Sequence, residues 1–246
     1  RDIKKVKDIC NKNKLIVPII AKIEKPEAMQ NLEEIITAFD GILVARGDLG
    51  VEMPIRELPI LQKRIVNECL KQHKPVIIAT QMLETMMEVE NPTRAEVNDI
   101  ANAIYDGVDA VMLSGETAIG KFPVKAVEMM AAIASSVDKD LDMQNFNRYI
   151  QREYIENKDQ RSSICHATMT LANDLSIQNI IIMTESGQTA IKMAQYRPQA
   201  RVYAFCCHKS VFHMLSIIWG ITPILVDSFQ STDEMIQSSG SILINK

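Results

Sequence analysis

The chain has 246 residues, 47% of them hydrophobic and 24% charged, which suits one large or two ordinary globular domains. A net charge of −4 with no block of like charge argues against nucleic acid or an anionic membrane as the partner. No apolar run approaches the roughly 18 residues of a membrane span, and no signal peptide is expected.

In chain order, "LIVPIIAKIE" (15–24) predicts a strand and "PEAMQNLEEIITAF" (26–39) a helix with Pro26 in its first turn. "GILVARGDLG" (41–50) predicts a strand ending in a glycine-rich turn. Residues 54–73 read as a helix with Ile60, Leu61, Ile65, Cys69 and Leu70 near one stripe. "PVIIATQML" (75–83) is a strand. In the helix 93–107, Thr93 stands at the cap, Glu96 at the capping-box position and Gly107 at the close. "DAVMLSGETA" (109–118) is a strand and 123–137 a helix.

These are four βα units of about 30 residues. Their strands are near-continuous apolar runs, which predicts a parallel sheet covered on both faces. Four units are half of a closed (β/α)8 barrel; an open doubly wound sheet is the alternative. Polar residues at the end of every strand favour the barrel.

Polar residues 138–162 break the rhythm and read as a connector with some helix. A second α/β run follows, with helices at 163–176, 188–197, 209–220 and 232–246 and strands at 179–185, 201–207 and 222–227. The division is therefore residues 1–137, half a barrel, and 138–246, an open α/β domain. The chain opens on Arg1 and stops inside a predicted helix, so both ends are expected to be cut.

The strand ends carry the chemistry. On a strand, Lys22 and Glu24 point the same way, about 7 Å apart. They are either a partly solvated surface pair or members of a polar ring. The second strand ends with Arg46, Gly47 and Asp48, the third with Thr80 and Gln81, the fourth with Ser114 and Glu116. Glu24 and Asp48 are hard carboxylates suited to Mg²⁺, which takes one or two such ligands plus water and phosphate oxygens. Lys22 supplies a compact positive charge for a phosphate or an enolate oxygen. The "GDLG" segment lets backbone N–H groups approach an anion, and Thr80 adds a hydroxyl. The set predicts a phosphorylated or carboxylated metabolite, a divalent metal, and phosphoryl-transfer or enolate chemistry. A metal-assisted aldolase or lyase, or a non-enzymatic assembly module, remains open at this point.

Other residues read as structural. Cys10, Cys69, Cys165, Cys206 and Cys207 show no CxxC pair and no zinc spacing, so they are expected as reduced thiols. Cys206 and Cys207 would lie on opposite faces of a buried strand, and a cytoplasmic location follows. His73, His166, His208 and His213 are scattered, Trp219 is expected to fill the second domain's core, and the fourteen methionines read as packing.

At these residues the sequence resembles the pyruvate kinase family. The likeness stands in "PIIAKIEKPEAM", "DGILVARGDLGVE", "KPVIIATQMLETM", "NPTRAEVNDIANAIYDGVDAVMLSGETAIGKFPVKAV" and "TESGQTAIKMAQYRP", most specifically over residues 15–127. It implies a glycolytic phosphotransferase that passes the phosphoryl group of phosphoenolpyruvate to ADP, giving pyruvate and ATP. In that role Lys22 would stabilise charge on the phosphoryl group and the enolate. Glu24 and Asp48 would hold Mg²⁺ (or Mn²⁺). Gly47, Asp48 and Thr80 would bind the substrate carboxylate. Thr80, with Ser114 nearby through water, would flank the path of the enolate's proton.

Arg46 would shape the loop, and Arg94 would lie near a subunit interface of a cytoplasmic homotetramer. The resemblance also implies K⁺ and nucleotide ligands in an N-terminal half that is not in this chain, so the 246 residues alone are expected to be inactive. In regulated members the loop matching Thr184, Ser186, Gly187 and Thr189 holds a sugar-effector phosphate. Glu185 does not suit that role, and helix capping by Ser186 and Thr189 is the plainer reading.

Overall fold

The structure, a computed structural model, describes residues 2–15, 17–140, 159–227 and 232–244. The chain divides into two compact units, Arg1–Asp142 and Met143–Lys246.

In the first unit, helix α1 (Asp2–Lys12) precedes strand β1 (Ile20–Ile23). Then come α2 (Pro26–Gln30), α3 (Leu32–Ala38), β2 (Gly41–Ala45) and α4 (Arg46–Glu52). After a 3-10 turn come α5 (Leu58–Lys71), β3 (Val76–Ala79), a second 3-10 turn at Glu84–Met87 and α6 (Arg94–Tyr105). The unit ends with β4 (Ala110–Met112), α7 (Gly115–Ala118) and α8 (Pro123–Asp140).

The sheet is parallel in the order β1-β2-β3-β4. Sequential order with right-handed crossovers stacks the helices on one face, as in a barrel wall, whereas a doubly wound sheet reverses its order and fills both faces. The burial agrees. Ala21, Ile23, Ile42, Val44, Val76 and Ile78 are buried and join one core with Ile36, Ile65, Cys69 and Ile100 from the helices. Ile20 and Lys22 are exposed, and Leu43 and Ile77 half-buried. Helices cover one face of this sheet; the expected cover of the other face is not supplied by the described residues of this chain.

Two acids fasten the amino ends of the strands. Asp40, just before β2, accepts from the Ile19 amide at 2.8 Å, and Asp109, just before β4, from the Val76 amide at 3.0 Å. The capping box of α6 is complete: Thr93 accepts from the Glu96 amide and the Glu96 carboxylate from the Thr93 amide. Burial raises the Glu96 acid, but hydrogen bonds from Thr85 and Thr93 outweigh it and hold the carboxyl below its ordinary range. Gly107, with φ 93°, closes the helix end.

Several boundaries shift. β1 is four residues long, not ten, and the chain turns helical at Arg46 and Gly115 rather than continuing as strand. Ile60 is 68% exposed and leaves the α5 stripe, while Gln62 and Val66 are buried in it.

Among the described residues the second unit opens with α9 (Gln160–Asp174); the expected connector lies mostly outside them. It continues with β5 (Asn179–Met183), α10 (Gln188–Gln195), β6 (Arg201–Cys206), α11 (Lys209–Leu215), β7 (Ile221–Leu225) and α12 (Thr232–Ile244). Its sheet is parallel in the order β5-β6-β7. Cys165, Met169, Ile180, Ile182, Ala204 and Leu215 share its core.

Two expectations fail here. Cys206 is buried on β6, but Cys207 is exposed beyond the strand's end. Trp219 is half-buried outside the core, its ring 4.1 Å from the Arg197 guanidinium carbon in a cation–π contact. All five cysteines are free, and burial pushes the Cys165 thiol up to about 11.

Candidate functional site

The parallel register aligns the strand ends: Ile23 pairs with Val44, Ala45 with Ala79, and Ala79 with Met112. The polar residues fall just past those ends, at Glu24, Arg46–Asp48, Thr80–Gln81 and Ser114–Glu116. This is the carboxyl edge of the sheet, where parallel α/β proteins place their chemistry.

Three of these side chains meet directly. The Lys22 ammonium pairs with the Glu24 carboxylate and donates to Asp48 Oδ2 at 3.0 Å. Hydrogen bonding to Glu24 first, and to Asp48 second, raises the Lys22 pKa above its ordinary value. All three side chains stay at least one-third exposed. They therefore form a wet, exchangeable cluster rather than a buried ion pair. Two carboxylates converging on one cation suit a hard divalent ion that also needs ligands from substrate and water. Among the described residues no group of three His, Cys, Asp or Glu could hold a metal ion.

Beside this cluster the Gly47 amide donates to Thr80 Oγ1 at 2.7 Å, and that hydroxyl donates to the Ala79 carbonyl at 2.6 Å. Gly47 and Asp48 lie in the first turn of α4, so Asp48 reaches the lysine while its neighbour's amide faces Thr80. Thr80 and Gln81 have left-handed backbones, φ 69° and 54°. For non-glycine residues this costs on the order of 1–3 kcal/mol each, and it occurs where the surroundings enforce it.

Arg46 is 5% exposed. Its guanidinium donates to the Thr80 and Gln81 carbonyls, each at 2.8 Å from Nη2, and pairs with Asp99 Oδ2 at 2.5 Å. Asp99 on α6 carries no sequence signal, and sequence reasoning passed over it. A cleft of about 420 Å³ opens beside this pair, bordered by Gln62, Lys63, Asn98 and Asp106.

Ser114 and Glu116 sit on the next strand end but are held separately. The Glu116 carboxylate is 3% exposed and accepts from the Ser114 amide at 2.8 Å and the Leu83 amide at 3.2 Å. It ties the loop after β3 to the loop after β4.

In the second unit, Thr184 Oγ1 accepts from the Gly187 amide at 2.9 Å, and Gly187, with φ 82°, is the N-cap of α10. The N-cap position of α10 is thus Gly187, not Ser186 or Thr189, and it makes no side-chain capping bond. Glu185 and Ser186 are exposed.

Acids, lysine and hydroxyl gathered over the carboxyl ends of four consecutive parallel strands give the first unit the wall and rim of half a (β/α)8 barrel. Comparison with known proteins narrows this further. Residues 1–127 match the family "Pyruvate kinase, barrel domain" and residues 162–246 "Pyruvate kinase, alpha/beta domain". The chain belongs to the pyruvate kinase family.

It is 46% identical over 224 residues to the pyruvate kinase of Clostridium acetobutylicum, covering 91% of this chain and 47% of that protein. It is 40% identical over 243 residues to the Mycobacterium tuberculosis pyruvate kinase, covering 99% and 50%. The crystal structure of a pyruvate kinase from Cryptosporidium parvum matches with a TM-score of 0.93 at 34% identity, covering 98% of this chain and 50% of that one. The chain thus spans about half the length of these relatives. No helix of the described residues is long and apolar enough to cross a membrane.

Proposed function

We propose that these residues form the phosphoenolpyruvate and divalent-metal portion of a glycolytic phosphotransferase that gives pyruvate and ATP from phosphoenolpyruvate and ADP. The observation that carries this reading is the Lys22 ammonium held between Glu24 and Asp48 beside the Gly47–Thr80 pair. Glu24 and Asp48 would hold Mg²⁺ or Mn²⁺, which when bound neutralises phosphoryl and carboxylate charge. Lys22, freed from its two carboxylates, would then face the phosphoryl group and the enolate oxygen, adding a preorganised charge where negative charge develops.

The Gly47 amide and Thr80 hydroxyl now satisfy each other. A substrate carboxylate would enter by accepting from both, the hydroxyl turning from the Ala79 carbonyl. Thr80 would then stand beside the enolate carbon's proton path, with Ser114 reached through water. The nucleotide and K⁺ contacts of the reaction fall to residues outside this set. A cytoplasmic homotetramer belongs to the same reading.

The test is titration of the chain with Mn²⁺, followed by the paramagnetic resonance of the free ion, with and without phosphoenolpyruvate. The ligand should tighten Mn²⁺ binding, and Asp48→Asn should abolish the gain. Mn²⁺ binding indifferent to phosphoenolpyruvate would overturn the reading. A lactate-dehydrogenase-coupled assay on the 246 residues alone should show no turnover.

A further inference from the structure

We propose that Arg46 is the positioning residue of the Thr80 hydroxyl: its guanidinium holds the left-handed turn at Thr80 and Gln81 that delivers Oγ1 to the Gly47 amide. The inference rests on the preceding reading for its functional meaning, but not for its geometry.

Along an extended chain, successive carbonyls point to opposite sides. Here two successive carbonyls accept from one nitrogen, Arg46 Nη2, both at 2.8 Å, and Nε adds a longer bond to the Thr80 carbonyl at 3.3 Å. The turn at φ 69° and 54° brings them to the same side, where the extended course of β3 would not. Thr80 is β-branched and resists that conformation, so the turn requires an outside hold. Released to an extended backbone, Thr80 would swing its side chain away from Gly47.

The arrangement is reciprocal. The main chain of Arg46 carries Gly47, the donor, while its side chain sets Thr80, the acceptor. One residue thus fixes both halves of the pair at 2.7 Å. A purely stabilising ion pair with Asp99 would not need the carbonyl contacts, which are three of the four hydrogen bonds the guanidinium makes to these groups. Lysine keeps the charge but lacks the planar fork, so Arg46→Lys separates the roles.

The experiment is amide hydrogen exchange and methyl NMR on the full chain. In folded Arg46→Lys, the Gly47 amide should exchange about tenfold faster, the size expected for a lost hydrogen bond, while the Ile78 amide keeps its protection. The Gly47 resonance should move toward its position in Thr80→Val. The double variant should add nothing further, because both changes break the same bond. Asp99→Asn, at a half-buried site that tolerates the change, should move Gly47 the same way by a smaller amount, and it serves if Arg46→Lys does not fold.

Gly47 exchange and shift unaltered in either folded variant would overturn the proposal. A uniform loss of protection at Gly47 and Ile78 would also overturn it, showing that Arg46 serves stability alone. Phosphoenolpyruvate titrations on the same samples keep the two readings apart. If the unaltered chain binds no phosphoenolpyruvate, the functional reading fails while Gly47 exchange still decides the role of Arg46.

Discussion

Replacing Lys22 by methionine should tighten divalent-metal binding in this chain and slow phosphoryl transfer in an active enzyme that carries these residues, opposite effects from one substitution. The ammonium lies 3.0 Å from Asp48 Oδ2 and also contacts Glu24, so under the proposed function it competes with a divalent ion for the same carboxylates. A metal must displace it and then tolerate it about 4 Å away. Two unit charges at that distance in water change an equilibrium about fivefold, and a divalent ion squares the factor to roughly 25-fold. The cluster is open to solvent, so salt screening trims this, leaving Mn²⁺ about three- to tenfold tighter in Lys22→Met near 0.1 M salt.

The paramagnetic resonance of free Mn²⁺ measures this without turnover, and the gain should shrink as salt rises. Loss of the same charge from phosphoryl transfer should lower the rate of an active enzyme carrying these residues by about 10²–10³. Unchanged or weaker Mn²⁺ binding in Lys22→Met would show that the lysine does not compete for the site, and the reasoning would fail.

Two further outcomes are expected in the second unit. Glu185 stands exposed between Thr184 and Ser186, where its charge would repel a phosphate. Calorimetry should therefore show weak or no binding of fructose 1,6-bisphosphate, improved in Glu185→Lys; micromolar binding that the lysine does not improve would show that Glu185 points away. Asp159 caps α9 and pairs with the buried Lys192 at 2.6 Å; the Lys192 hydrogen bond first, then the Ser162 amide, holds its carboxyl well below the usual 3.8. A depressed acid stabilises the fold above its unfolded pKa and loses that contribution as pH falls through the folded one. Asp159→Asn should thus lower Tm by a few degrees, for about 1 kcal/mol at a half-exposed pair, by a constant amount from pH 7 to about 5. The difference should close only in stronger acid; closure already at pH 6 would assign the effect to another group.

The alternation of strands and helices was legible because apolar runs are punctuated by proline, glycine and a complete capping box. Strand lengths were not, because pairing sets them. β1 starts at Ile20 because its partner β2 starts opposite it at Gly41, and Pro18 upstream has no N–H to offer a ladder. β2 stops at Ala45 although "RGDLG" carries two glycines that disfavour helix. There the tertiary bonds of Arg46 and Gly47 outweigh local propensity and turn the chain helical at once. The open face of the first sheet was hidden for a related reason: Ile20, Leu43 and Ile77 are as apolar as residues that face a core, and only coordinates show what covers them.

The site divides along the same line. Lys22 and Glu24 show in the sequence because period-two spacing puts charges where a packing strand would hold apolar groups. Asp48 and Thr80 show because strand ends in a parallel sheet converge. Arg46–Asp99 does not, because the partners lie 53 positions apart and Asp99 looks like any acid on the solvent face of α6. The turn at Thr80 is hidden more deeply, since threonine followed by glutamine carries none of the glycine or asparagine that marks a left-handed backbone. Local rules fail there while the rest of β3 obeys them. A backbone held against its preference by a buried arginine sets the Thr80 hydroxyl to accept from the Gly47 amide, one residue before Asp48, and under the proposed function that strain falls where a substrate carboxylate would need fixed donors.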